Sequence, residues 1–283
     1  MSDRAAAAAD ARSEKAEGVE ARLMSVDGQR LMVAVKRAAG SRPPLLLFNG
    51  IGANWELARP FLDALSETTA IIFDPPGVGG SPLPRMPYRP SGLARLAARL
   101  IADLGYHEVD AAGVSWGGGM AQQFAHQYPR LCRRLVLAAT SPGAIMIPGR
   151  PHALLRMATP RRYWDKSRMA KIAPDIYGGS FRKDPALIHR HAEAMSGAGS
   201  LGYVYQLLAM VGWSSLPWLR TLAQPTLILM GRDDPLVPVA NGHLMARLIP
   251  NARLEVIDCG HPFVVTRPVE TARRIERFLA REH

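Results

Sequence analysis

Val109-Asp110-Ala111-Ala112-Gly113-Val114-Ser115-Trp116-Gly117-Gly118 is the stretch on which the reading of this chain turns. A short run from Val109 to Gly113 leads into Gly113-Val114-Ser115-Trp116-Gly117. A helical pattern follows, in which Met120, Phe124 and Tyr128 recur every fourth residue. Strand, Gly-x-Ser-x-Gly and helix in that order form a nucleophile elbow. Such a turn is sharp enough to strain its central residue, and a glycine two positions either side lets neighbouring chain approach without a clashing Cβ. The Ser115 hydroxyl is therefore expected to stand above a sheet, at the positive end of a helix.

Working outward, the chain alternates strands and helices. Glu20–Val26 and Gln29–Val35 alternate in polarity and meet at Asp27-Gly28, a hairpin signal. Leu45–Phe48 is apolar throughout, as a strand buried on both faces should be, and Thr69–Phe73, Val109–Val114, Leu135–Ala139, Thr226–Met230 and Leu254–Ile257 repeat that style. Ser91–Leu104 puts Leu93, Leu96, Ala97, Leu100 and Leu104 on one helical face and stops at Gly105, and Pro268–Arg281 carries Ile275, Phe278 and Leu279. The expected fold is α/β: a mostly parallel sheet with an N-terminal antiparallel hairpin and helices on both faces.

Alternation breaks after Ala139. From about Gly143 to Arg220 the chain is rich in Met, Trp and Tyr, with helical pieces and Pro/Gly breaks. The division expected is a tail over 1–18, a core over 19–142 and 221–283, and an inserted helical cap over 143–220. Met157, Met169, Met195, Met210 and Trp213 suit a surface meeting greasy ligands, or equally the core between cap and sheet.

Composition narrows the function. The 283 residues are 48% hydrophobic, and no apolar run approaches the roughly 20 residues of a membrane span. Met1 to Gly18 is Ala-rich with interspersed charge and lacks the apolar centre of a secretory signal, so a cytoplasmic protein with a disordered tail is expected. The two cysteines, Cys132 and Cys259, fall in no metal-ligand spacing and read as buried free thiols. A net charge of +11 invites a nucleic-acid partner, but no helix-turn-helix, zinc-finger or RNA-binding signature accompanies it. Basic residues crowd the stretch Arg150–Arg190, which fits either adhesion to an acidic coated particle or a plain solvated face.

A serine needs a base to take its proton, and the base needs an acid to orient it. After an elbow the expected chain order is Ser, acid, His. Asp233 and Asp234 compete beyond Thr226–Met230. Gly231-Arg232-Asp233-Asp234-Pro235 favours Asp234, the third residue after the turn glycine, and leaves Asp233 to cap the turn. The earlier position holds Thr140 and Ser141, which are not acids. Of eight histidines only His261, in Asp258-Cys259-Gly260-His261-Pro262, follows the last strand, where a loop returns over the C-terminal edge of the sheet. Two backbone N–H groups should hold the oxyanion, those of Trp116 and of Ile51 in Asn49-Gly50-Ile51-Gly52-Ala53-Asn54. That loop lacks the third glycine of a dinucleotide fingerprint, and Asp74-Pro75-Pro76-Gly77-Val78-Gly79-Gly80-Ser81 reads as a tight structural turn.

These residues resemble the α/β-hydrolase superfamily, and more closely the intracellular depolymerases of medium-chain-length poly(3-hydroxyalkanoate). The likeness runs through Phe48–Asn54, where Asn49 replaces the histidine common in the superfamily, and through Asp74–Ser81, Gly113–Gly118 and Gln122–His126. It persists in Thr159-Pro160-Arg161-Arg162-Tyr163 and Ile172–Gly179, then in Asp233–Leu236 and Gly260-His261. The resemblance implies a serine depolymerase acting at a polyester granule surface and releasing 3-hydroxy acids or oligomers. It implies Ser115, Asp234 and His261 as nucleophile, acid and base, and no cofactor. An esterase, lactonase or thioesterase for a soluble acyl substrate, and a granule-coating protein, are the alternatives.

Overall fold

The computed structural model describes residues 14–16, 18–158, 166–194 and 200–281. Among these, nine strands form one sheet. In chain order they are β1 (Glu14–Ala16), β2 (Val19–Val26), β3 (Gln29–Lys36), β4 (Leu45–Phe48), β5 (Ala70–Phe73), β6 (Val109–Val114), β7 (Cys132–Ala138), β8 (Thr226–Gly231) and β9 (Ala252–Ile257). Their spatial order is β1-β2-β3-β5-β4-β6-β7-β8-β9. Pairing is antiparallel from β1 to β5 and parallel from β5 to β9. The hairpin turns at Asp27 and Gly28 with φ of 47° and 77°, the two left-handed residues of a type I′ turn.

The helices are α1 (Arg59–Ala64), α2 (Pro90–Asp103), α3 (Trp116–Gln127), α4 (Pro151–Ala158), α5 (Lys166–Tyr177), α6 (Pro185–Ala194), α7 (Ser200–Met210), α8 (Val239–Leu248), α9 (Phe263–Thr266) and α10 (Pro268–Leu279). Two apolar layers explain why the parallel strands are largely hydrophobic. Leu46, Phe48, Ala111, Leu135, Leu137 and Ile228 pack with α2, α3 and α8 on one face. Leu45, Leu47, Ala112, Val136, Leu227 and Leu229 pack with α1, α9 and α10 on the other. Successive side chains point to opposite faces, so both must be apolar. Helices α4 to α7 fall between β7 and β8, and their Ala153, Met169, Ala173, Ile176 and Ala209 join the first layer.

Some expectations are corrected. The tail expected over 1–18 ends earlier, because Glu14–Ala16 pair with Ala21–Val19 as an edge strand. This pairing is main-chain and leaves no apolar alternation to read. Residues 1–13, Met195 and the string Thr159–Tyr163 lie outside the described residues. Strand β7 starts at Cys132, three residues before the apolar run, because Arg133 has a buried partner on β6. Its guanidinium holds both oxygens of the Asp110 carboxylate, at 2.8 and 2.5 Å, and Arg134 donates to the Leu279 carbonyl at 3.2 Å.

The Asp110 side chain is 1% exposed, and burial pushes its carboxyl up against the opposing pull of Arg133. Arg133→Met should therefore destabilise the fold by about 3–5 kcal/mol, since it strands a buried carboxylate. The loss should shrink as pH falls, because the folded state then takes up the proton that neutralises Asp110. Urea denaturation at several pH values measures both effects; a loss independent of pH would contradict the assignment.

Candidate active site

Three strand ends build the site. Between β6 and α3, Ser115 has φ 55° and ψ −119°. It holds this strained geometry through three main-chain contacts: its N–H donates to Ala138 O at 2.8 Å, and its carbonyl accepts from Gly118 N at 2.9 Å and Thr140 Oγ1 at 2.7 Å. The flanking glycines are required by space. A Cβ on Gly113 would lie 2.2 Å from Gly117 O, and one on Gly117 would lie 2.1 Å from Phe48 O. Thr140, at the alternative acid position, thus serves as a brace for the elbow.

Beyond β8, Asp234 turns inward with a fully buried side chain. Its Oδ1 accepts from Leu236 N at 2.8 Å and Val237 N at 2.9 Å, which leaves Oδ2 to face the His261 Nδ1 at 2.7 Å. His261 follows β9, and its Nε2 lies 3.0 Å from Ser115 Oγ. Its main-chain N–H donates to Tyr177 O, at the end of α5, at 2.7 Å. The three side chains expected to meet do so, in one continuous hydrogen-bonded line. Asp233 departs from its expected place as a turn cap. Its Oδ2 accepts from Gly179 N at 2.8 Å and from the Arg182 guanidinium, because the chain after α5 crosses directly over this turn.

The loop after β4 closes the site from the other side. Asn49 brackets it, its Oδ1 accepting from Gly50 N at 2.9 Å and its Nδ2 donating to Asn54 O at 2.8 Å. A Cβ on Gly50 would lie 3.9 Å from the Ser115 Cβ, so the loop abuts the elbow. Asp74 anchors its far end by accepting from Trp55 N at 2.7 Å, and also accepts from Gly80 N of its own turn at 3.0 Å. Burial drives the Asp74 carboxyl up to about 7 despite those two donors. Ser81 Oγ donates to Asp74 O at 2.6 Å, so the Asp74–Ser81 segment is the structural turn expected of it.

A cavity of about 70 Å³ opens beside Ser115 and His261, with Ile51, Leu57, Met157 and Val264 among its apolar lining. His191 of α6 and Tyr177 also line it, although the position of His191 in the sequence gives no sign of this. Tyr177 falls in the Ile172–Gly179 string but no local motif marks His191, and each reaches the cavity through the packing of inserted helices. Cys132 and Cys259 are free and buried, and Cys259 Sγ contacts Thr266 Oγ1 at 3.2 Å rather than the His261 ring. Among the described residues, no group of three or more His, Cys, Asp or Glu is placed to hold a metal ion, and no helix is long and apolar enough to cross a membrane.

An alpha/beta hydrolase fold family model matches residues 43–268. The chain belongs to the α/β hydrolase fold family. This α/β hydrolase is 52% identical over 262 residues to the poly(3-hydroxyalkanoate) depolymerase of Ectopseudomonas oleovorans, covering 92% of this chain and 93% of that one. The likeness read from its motifs is thereby borne out. The enol-lactonase from Burkholderia xenovorans LB400 superposes with a TM-score of 0.80 at 21% identity, over 92% of this chain and 100% of that one. A hydrolase from Pseudomonas aeruginosa PA01 superposes with a TM-score of 0.79 at 24% identity, over 92% and 98%. At those identities the two structures speak for the fold alone.

Chemically, the α/β hydrolase site combines a hydroxyl, an imidazole and a carboxylate that accepts everything offered to it. With Asp234 Oδ1 saturated by two N–H donors, Oδ2 requires a donor, so the imidazole must carry its proton on Nδ1 and turn a lone pair on Nε2 toward the hydroxyl. That tautomer is the one able to accept a serine proton.

Proposed function

We propose that this protein is a serine hydrolase cleaving the ester bonds of medium-chain-length polyhydroxyalkanoate stored in the cytoplasm, releasing 3-hydroxy acids or oligomers at the granule surface. One observation carries the reading: the Asp234–His261–Ser115 line, at 2.7 and 3.0 Å, in a chain 52% identical to a poly(3-hydroxyalkanoate) depolymerase. Ser115 Oγ attacks the ester carbonyl while His261 Nε2 takes its proton. The tetrahedral oxyanion is held by the N–H groups of Ile51 and Trp116. Collapse expels the alcohol end of the polymer, which takes the proton from His261, and leaves an acyl group on Ser115. His261 then draws a proton from water, which attacks the acyl-enzyme and frees the acid.

The helices within 143–220 act as a cap whose Met157 and Tyr177, with Leu57 and Val264 of the core, offer an apolar wall to the alkyl side chain of the monomer. Incubating the protein with medium-chain and short-chain polyester granules, and identifying released acids by mass spectrometry, tests the substrate. Release of medium-chain 3-hydroxy acids is expected. Rapid turnover of soluble short esters with no release from granules would move the function to a soluble acyl substrate. Granule binding without any hydrolysis would make it a coat protein.

A further inference from the structure

Helix α7 sends one polar residue to the centre of the molecule. Gln206 is fully buried in the otherwise apolar stretch Tyr203-Val204-Tyr205-Gln206-Leu207-Leu208, and it touches both sides of the oxyanion hole. Its side-chain Oε1 accepts from Gly52 N at 2.7 Å, one residue beyond Ile51. Its main-chain carbonyl accepts from the Trp116 indole Nε1 at 2.9 Å. The Gly52 bond fixes which way the amide lies. An N–H can only donate, so the oxygen must face it, and the Gln206 Nε2 is left buried with no partner among the described residues. An unsatisfied buried donor is a standing cost, which a methionine of similar shape would not carry. What the glutamine supplies in return is an acceptor for Gly52.

The loop around Ile51 makes that acceptor consequential. Gly50 N is taken by the Asn49 side chain, Ala53 N by Gly50 O at 3.1 Å, and Gly52 N by Gln206. The donors flanking Ile51 are thus each tied down, and the tie on Gly52 is the one that comes from outside the loop. Gly52 has φ 70°, so its peptide is held in a conformation that a loosened loop would leave easily.

We infer that Gln206 is a positioning residue for transition-state stabilisation: through Gly52 it sets the direction of the Ile51 N–H, and through the indole it fixes Trp116. This rests on the serine-hydrolase reading above. Because Gln206 belongs to an inserted helix, the oxyanion donors are aligned only while α7 lies against the core.

The test compares Gln206→Met, which keeps length but loses the acceptor, with Gln206→Glu, which keeps an acceptor oxygen. Steady-state hydrolysis of p-nitrophenyl octanoate is measured for both, with thermal unfolding as the check on folding. Gln206→Met is expected to lower kcat about 10–100-fold with KM changed less than about twofold, because misaligned donors act on the transition state alone. Affinity for an alkyl trifluoromethyl ketone, which forms a tetrahedral adduct at the serine, should fall by the same factor, while inhibition by octanoate stays unchanged. Gln206→Glu should recover most of the lost kcat. Native kcat in Gln206→Met, an equal loss in octanoate binding, or a Glu variant as impaired as Met would overturn the inference. Those results leave the Ser115 mechanism standing; native-like turnover by Ser115→Ala would instead remove the mechanism itself.

Discussion

Ser115→Ala is expected to lower turnover of polyester and of p-nitrophenyl alkanoates by about 10⁴–10⁶-fold while leaving the fold intact. Among the described residues that line the cavity, no serine, threonine or cysteine other than Ser115 is present to substitute as nucleophile. Cys259 contacts Thr266, Thr140 Oγ1 is committed to the Ser115 carbonyl, and the remaining wall of the cavity is largely apolar. The fold should survive because the elbow is held by main-chain bonds from residue 115 to Ala138 and Gly118, neither of which uses the hydroxyl. Alanine meets the same strain at φ 55° that serine already bears. Residual activity should come from the oxyanion donors and binding alone. Circular dichroism and thermal unfolding check the fold beside the rate.

Asp234→Asn should cost about 10⁴-fold in kcat with little change in KM, although it replaces one oxygen by nitrogen. The reason lies in which atoms face which. Leu236 N and Val237 N both donate to Oδ1, so the single oxygen of an asparagine must stay there. The amide NH₂ is then turned toward His261 Nδ1, at the position where Oδ2 stands 2.7 Å away. Two donors cannot face each other, so the imidazole must shift its proton to Nε2 and present a donor to Ser115. It can no longer take the hydroxyl proton. Rate measurements with octanoyl esters, together with the ¹H NMR position of the ring proton, read both halves of this result. An Asn variant with native kcat would contradict the tautomer assignment.

The frame of the molecule was legible because it is written in local chemistry. Asp27-Gly28 demands a left-handed turn, the largely apolar runs demand burial on both faces, and Gly113 and Gly117 are demanded by backbone contact closer than a Cβ allows. Asp234 and His261 could be found by chain order, since each sits just past a strand at the same edge of the sheet. What escaped the sequence depends on contacts between distant segments. Glu14–Ala16 pair through backbone and carry no pattern. Arg133 looks foreign to a strand until Asp110 is seen beside it. Asp233 reads as a local cap, but a segment about 50 residues away in sequence claims its carboxylate instead. Gln206 is a polar residue in a largely apolar helix, and His191 one of several histidines; only the packing of the inserted helices brings either one to the site.

Mixing the enzyme with a medium-chain 3-hydroxyacyl ester, quenching in acid within the first turnovers and mapping the digest by mass spectrometry puts the covalent intermediate itself on view. The acyl group should appear as an ester on the peptide carrying Ser115, and should be absent from that peptide in Ser115→Ala. Brisk hydrolysis with the acyl group on another residue, or with native rates persisting once Ser115 is alanine, would contradict a reaction passing through this serine.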